Sequence, residues 1–425
     1  AALFSALCLA FATFARSTKE GQYYLTPLFM VTMGLTMFSM SPTIELEPEA
    51  LHATFYCAIP IMGPALLLKA MLSNPSGTDV LVFALPVLMS SVGYCLLALW
   101  WAVEQFKSED VLFRADERFD LKLWIRHLLR EKDTTPSFSQ GVACFVTMLM
   151  LQFLSMMLLT GSMAEISEAD RGWKILQLGL ISQIALIAAP AIFMAILLTS
   201  NVRETLKLRL PPLSIFGMSI LLPVLIFPLA MELLAGLAPF FPQLPDSVRE
   251  AFGTMGDSDL PLPLVIGVFA LAPAICEELA FRGFILSGFS TRGRGRIAVV
   301  LSSVTFGIIH MVPQQVFNAS LLGLVLGLLA IRSRSLLPGV VFHLCFNALG
   351  VLHSQLCELI ESSPPGWLDS WLVMKCVTVD SGTLRFDFPV LAVCGVGTFV
   401  LLRTLLRMEP PDTGPSAETA VSQRD

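Results

Sequence analysis

Glu277, Glu278, Arg282, His310 and His343, with Asn347 beside them, fall inside apolar stretches of this chain. Ionisable groups in such stretches are costly to bury, so they are functional candidates by default. Glu278 and Arg282 are four residues apart with the acid first, the order that favours an ion pair on a helix. Pairing would leave Glu277, about 100° round the helix, free for another task. His343 and Asn347 are also four apart and reach one face. Pro273, four residues before Glu277, removes a helix hydrogen bond and predicts a kink that opens the helix there. A water polarised by one carboxylate and one imidazole is a hydrolytic nucleophile, with or without a metal. A second imidazole and an amide could donate to the oxyanion of a tetrahedral intermediate. The set Glu277, His310 and His343 could equally ligate a divalent metal such as zinc. The plainer alternatives are a polar network that fixes helix packing, or a proton or ion relay. HExxH, GxGD and GxSxG are absent from the sequence.

These residues must be positioned by helices in lipid. Of 425 residues, 55% are hydrophobic and 14% charged, and mean hydropathy is +0.74. A soluble chain carries roughly a quarter charged residues. Apolar runs fall at 3–15, 24–41, 51–72, 80–103, 140–160, 174–200, 213–240, 262–286, 297–312, 316–331, 335–352 and 388–405. About 20 helical residues cross a bilayer, and the runs are apolar on every face, unlike the alternating strands of a barrel. The fold class is therefore all-α: a polytopic transmembrane helical bundle.

Loop charge orients it, because cytoplasmic loops collect Lys and Arg. The linker 104–139, Arg203 with Lys207 and Arg209, Arg292 to Arg296, and Arg332 with Arg334 mark the inside. Acidic loops alternate with them, which predicts eight spanning helices over 140–405. In the unit 1–103 the charges require three spans and one re-entrant segment, 51–72, broken by Pro60, Gly63 and Pro64. The linker should carry an amphipathic helix over Val111–Lys132, and the tail 406–425 should be disordered and cytoplasmic. Counted from the basic loops at about 1.5 Å per residue, Glu277 lies roughly 16 Å deep, His310 roughly 20 Å and His343 about 12 Å. Three helices thus bring these groups to similar depth, reached from the basic-loop end.

Other features exclude more than they assign. Net charge is −6, and no basic tract with aromatics offers a nucleic-acid surface. The nine cysteines lack CxxC spacing, and only Cys357 and Cys376 share a loop and could pair. His52, His127 and His353 sit at segment edges or in the linker, as solvated histidines do. The chain opens inside an apolar run without Met, as expected of the C-terminal part of a longer polypeptide.

Glu277-Glu278-Leu-Ala-Phe-Arg282, Phe306-Gly-Ile-Ile-His310 and His343-Leu-Cys-Phe-Asn347 read EExxxR, FxxxH and HxxxN in order on successive apolar helices. Over about 210–352 this resembles the CPBP intramembrane proteases, which include type II CAAX prenyl endopeptidases and bacteriocin-processing relatives. The resemblance implies an intramembrane endopeptidase. Glu277 and His310 would activate the water, and His343 and Asn347 would hold the oxyanion. Glu278, Arg282 and Phe306 would support them. Whether a metal takes part stays open, as does whether the substrate is prenylated. Residues 1–115 resemble the C-terminal end of a NatB-like ABC-exporter permease, through Phe14 to Pro27, the acidic 45–49 and Leu66 to Leu72. No Walker A motif occurs, so an ATPase would be a separate subunit. The implied setting is a bacterial inner membrane, with lipid and a peptide or protein substrate as partners.

Overall fold

The computed structural model describes residues 2–12, 18–40, 46, 56–73, 79–106, 132–163, 168–241, 253, 260–290, 295–362, 377–380 and 383–409. The amphipathic helix expected at Val111–Lys132 lies outside these except for its last residue. Cys376, His52, His127 and the tail from 410 lie outside them too.

With no water in the hydrocarbon region, the backbone must bond to itself, so the apolar runs become helices. In chain order they are α1 (Ala2–Ala12), α2 (Thr18–Met40), α3 (Met62–Ser73) and α4 (Ala84–Phe106). Then follow α5 (Phe138–Met163), α6 (Asp170–Leu198), α7 (Leu213–Phe240), α8 (Leu262–Phe289) and α9 (Gly295–Ile308). The last are α10 (Pro313–Ser333), α11 (Leu337–Ser362) and α12 (Phe388–Arg407). Among the described residues, 7 helices are long and apolar enough to span a bilayer. The chain is an integral membrane protein with an all-α bundle. A two-stranded antiparallel hairpin, β1 (Val377–Asp380) and β2 (Thr383–Phe386), is the exception.

From Phe138 onward the helices follow the eight expected runs, but six have spanning length, and Phe138–Gln152 and Gly295–Ile308 are shorter. In the N-terminal stretch, Leu81–Val103 has spanning length, whereas Ala2–Phe11, Leu28–Met40 and Met62–Ser73 are shorter. The break anticipated in 51–72 falls at Pro60 and Ile61, where Ile61 adopts φ 72°. The 12-residue α3 that follows is about 18 Å long, too short to cross alone. Met30 and Met37 of α2 join the buried cluster built by α5 to α12. The two stretches therefore share a core.

Helices α9 and α10 pack as a tight hairpin. A Cβ at Gly307 would stand 2.0 Å from Ser320 Oγ and 2.4 Å from the Val316 carbonyl oxygen. Small residues that let backbones touch are the usual device of helix pairs in lipid. Gly307→Ala should therefore lower the unfolding midpoint in detergent, by about 1–3 kcal/mol of stability. Trimming Ser320 to Gly should not rescue it, because the obstructing Val316 oxygen is backbone. An unchanged midpoint would show that the hairpin is looser than this.

Candidate active site

Helix α8 carries the acidic pair and Arg282, and it is not a regular α-helix. It winds as π-helix at Gly267–Leu271, before Pro273, and again at Leu279–Ile285, after Glu278. Helix α6, packed beside it, has its own π segment at Ser182–Ala188. Single π turns inside α-helices often accompany functional sites. Here they bracket Glu277 from both sides and bring Gln183 onto it.

Glu277 is nearly buried. Its Oε1 accepts a hydrogen bond from Gln183 Nε2 at 2.8 Å. Its Oε2 lies 3.8 Å from His343 Nε2 and has no hydrogen-bond partner among the described residues. Glu278 Oε1 is 3.1 Å from Arg282 Nη1 and 3.3 Å from His343 Nδ1. The expected Glu278–Arg282 pair is thus present and wholly buried, and it also engages His343. Because an ionised Glu278 can only accept, His343 donates from Nδ1.

Arg282 has further supports. Its Nη2 donates to the Gly323 carbonyl oxygen at 3.3 Å, and its guanidinium carbon stands 4.1 Å from the Phe306 ring centroid. The same ring meets His310 and His343 edge-on, with centroids 5.2 and 5.8 Å apart. Phe306 thereby fixes both imidazoles relative to the buried charge. Helix α9 ends at Ile308 rather than at 312, so His310 sits in the turn that follows. Its Nδ1 pairs with the Phe306 carbonyl oxygen at 2.9 Å. A carbonyl can only accept, so the neutral ring keeps its Nε2 lone pair free to take a proton.

The Pro273 kink is resolved in an unexpected way. Pro273 cannot donate to the Phe269 carbonyl oxygen four residues back, and Asn347 Nδ2 donates to it instead at 3.3 Å. One amide hydrogen of Asn347 is therefore spent on backbone, and the other remains.

Glu277, His310, His343, Asn347 and Phe306 line one cavity of about 570 Å³. The structure thus brings together the four residues singled out for chemistry, while Glu278 and Arg282 stand behind the wall. The cavity extends along Leu234, Gln315, Asn318, Gly350 and Ser354, towards the acidic-loop end. At the other end residues 280–289 are all buried. Leu206 caps them there; its Cδ2 would lie 3.0 Å from a Cβ at Gly283. This burial speaks against access from the basic-loop end, expected from depth counts, because depth along a helix says nothing about which end is packed shut. Gln315→Cys in a cysteine-free background should react with an impermeant thiol reagent applied to the acidic-loop face. Phe284→Cys should stay unreactive from both faces, and the reverse pattern would restore the original expectation.

Gln183 and His353 were not singled out from the sequence. Gln183 could have been noticed as an amide inside an apolar run. His353, read as a solvated edge residue, lines the cavity, and its Nε2 lies 3.2 Å from the Leu384 carbonyl oxygen. Strand β2 is held over this end by Arg385, whose Nη2 is 2.7 Å from Glu232 Oε2 on α7. The set Glu277, His310 and His343 does not gather as ligands: among the described residues no three His, Cys, Asp or Glu side chains are grouped to hold a metal ion.

Residues 259–349 match the family described as type II CAAX prenyl endopeptidase, Rce1-like. That stretch contains every residue from Glu277 to Asn347 discussed above. Comparison with curated proteins and with solved structures finds no match.

Proposed function

We propose that the chain is a membrane-embedded endopeptidase in which Glu277 and His310 activate a water against a peptide carbonyl. The observation that carries this reading is that Glu277, His310, His343 and Asn347 line one cavity, with Glu277 Oε2 unpartnered and nearly buried. A carboxylate oxygen left without a hydrogen-bond donor can accept a proton from a water placed beside it. Gln183 holds its other oxygen and fixes its direction. The oxyanion of the tetrahedral intermediate is received by the remaining N–H of Asn347 and by His343 Nε2. For His343 to donate there while donating to Glu278, both of its ring nitrogens must carry protons. The proton taken from water then passes to the leaving amine as the C–N bond breaks. His310, with Nε2 unprotonated when neutral, shares the proton transfer.

The match to the endopeptidase family supports the reaction class, and the chemistry of the four side chains supports the residue roles. The test is reconstitution of the full chain in liposomes with a peptide library, read by mass spectrometry of new termini. Cleavage at defined bonds is expected. A library left intact beyond protein-free controls would remove the reading.

A second reading concerns residues 1–103 alone, as part of an export permease served by a separate ATPase subunit. The break at Pro60 and Ile61 and the short α3 favour it. Copurification of an ATPase from the native membrane is the expected result.

A further inference from the structure

At the basic-loop end a second cavity, of about 420 Å³, is lined by Lys207, Arg209, Arg334, Glu204, Ser287 and Ser290. Three cations face one acid, in a place where helices α6, α7, α8, α10 and α11 begin or end. The segment that follows α6 is bound to the α10–α11 turn: Leu336 N–H donates to the Lys207 carbonyl oxygen at 3.0 Å, and Ser335 Oγ donates to that of Arg209. Lys207 and Arg334 both adopt φ 51°, a conformation unusual for such residues. These contacts hold the three cationic side chains around one space.

The cations divide into two kinds. Lys207 Nζ donates to the Arg282 carbonyl oxygen at 2.9 Å and to Ser287 Oγ, so it supplies charge rather than free donors. Burial lowers its pKa to about 7, against the attraction of Glu204. An anion alongside would hold the ammonium charged. Arg209 is exposed and Arg334 half-buried, and among the described residues their side chains make no hydrogen bond or ion pair. Ser287 and Ser290 spend their protons on the Thr205 and Leu286 carbonyl oxygens. The free donors are therefore two guanidinium forks, the group suited to bidentate contact with phosphate.

We propose that this pocket binds a phosphate-bearing anion at the membrane–water boundary, with Arg209 and Arg334 as its donors and Lys207 as its half-buried charge. The volume admits a lipid headgroup as readily as a free phosphate, and the charge opposes cationic ligands and gives neutral ones no net attraction. Because Lys207 is bonded to the backbone of Arg282, an occupied pocket bears on the helix that carries Glu277 and Glu278. The binding itself does not depend on the peptidase reading.

The test uses the full chain in neutral detergent, with the thermal unfolding midpoint followed during titration. The titrants are short-chain phosphatidylglycerol, short-chain phosphatidylcholine and inorganic phosphate. Phosphatidylglycerol should raise the midpoint and phosphatidylcholine should not. In Arg209→Gln combined with Arg334→Gln the half-saturating concentration should rise by about tenfold or more. Arg407→Gln, a basic residue exposed at the end of α12, should titrate as the parent does. If inorganic phosphate reproduces the shift with the same sensitivity to the double variant, the site stands and its natural ligand is a soluble anion. A double variant that titrates like the parent, an Arg407→Gln effect as large, or no shift with any titrant overturns the proposal.

Discussion

Glu277→Gln is expected to lower peptide hydrolysis by roughly 10²–10⁴-fold while leaving the unfolding midpoint close to that of the parent. The substitution keeps shape and keeps an oxygen to accept from Gln183 Nε2, the one hydrogen bond given to Glu277. What it removes is the basicity of the oxygen near His343. His310→Ala should also abolish activity, because the cavity then lacks the imidazole whose Nε2 is free to accept. The measurement is the rate of appearance of new peptide termini in liposomes, with the midpoint measured on the same preparation. A Glu277→Gln protein that retains full activity would refute its role as base. One that is inactive but unfolded would say nothing of chemistry, which is why Gln is preferred to Ala. The two roles also separate in kinetics: losing a group that acts only in the transition state lowers kcat, with KM little changed.

The sequence made the membrane fold legible because the solvent imposes it. An apolar run in lipid has few options besides helix, so α5 to α12 appear where the runs lie. Their ends were less legible. Helix α9 stops at Ile308 because the chain turns through Met311 at φ 58°, a conformation no residue pattern announced. Helix α11 runs to Ser362, well beyond the expected 352, since its outer end packs on the hairpin that ends at Phe386. That hairpin lay hidden in a stretch read only as an acidic loop.

The site was half visible for a similar reason. Spacing of three and four places groups on one helix face, so the Glu278–Arg282 pair and the His343–Asn347 face followed directly. Partners on other helices did not. No local pattern places Gln183 against Glu277 or gives Asn347 to the Phe269 carbonyl. The π segments around Glu277 also arise from packing between α6 and α8 rather than from any one residue. The hydrogen bond lost at Pro273 was foreseen, but not that an amide from α11 would take the place of the missing donor. Burial at the basic-loop end was not legible either, because Leu206, which packs on Gly283, comes from a distant loop.

Glu278→Gln should destabilise the bundle by about 3–5 kcal/mol, because it leaves Arg282 as a buried charge without its counter-ion. Both side chains are fully enclosed, at 0% exposure. The guanidinium cannot turn to water, since it is held between the Gly323 carbonyl and the Phe306 ring. Nor can a neighbour easily fill in: a Cβ at Gly339 would already lie 2.5 Å from Glu278 Oε2. Arg282→Met in the same chain removes the orphaned charge and restores apolar volume, so the double variant should regain most of the lost stability. Activity should not return with it. Gln at 278 can still accept from His343 Nδ1, but as a neutral and weaker acceptor, and Phe306 has lost the cation on its face. Unfolding midpoints of the single and double variants decide the first part. If the double variant is as unstable as the two singles added together, Glu278 and Arg282 do not act as a pair. If it recovers both stability and full activity, the charged pair is only packing, and His343 does not need Glu278 to work.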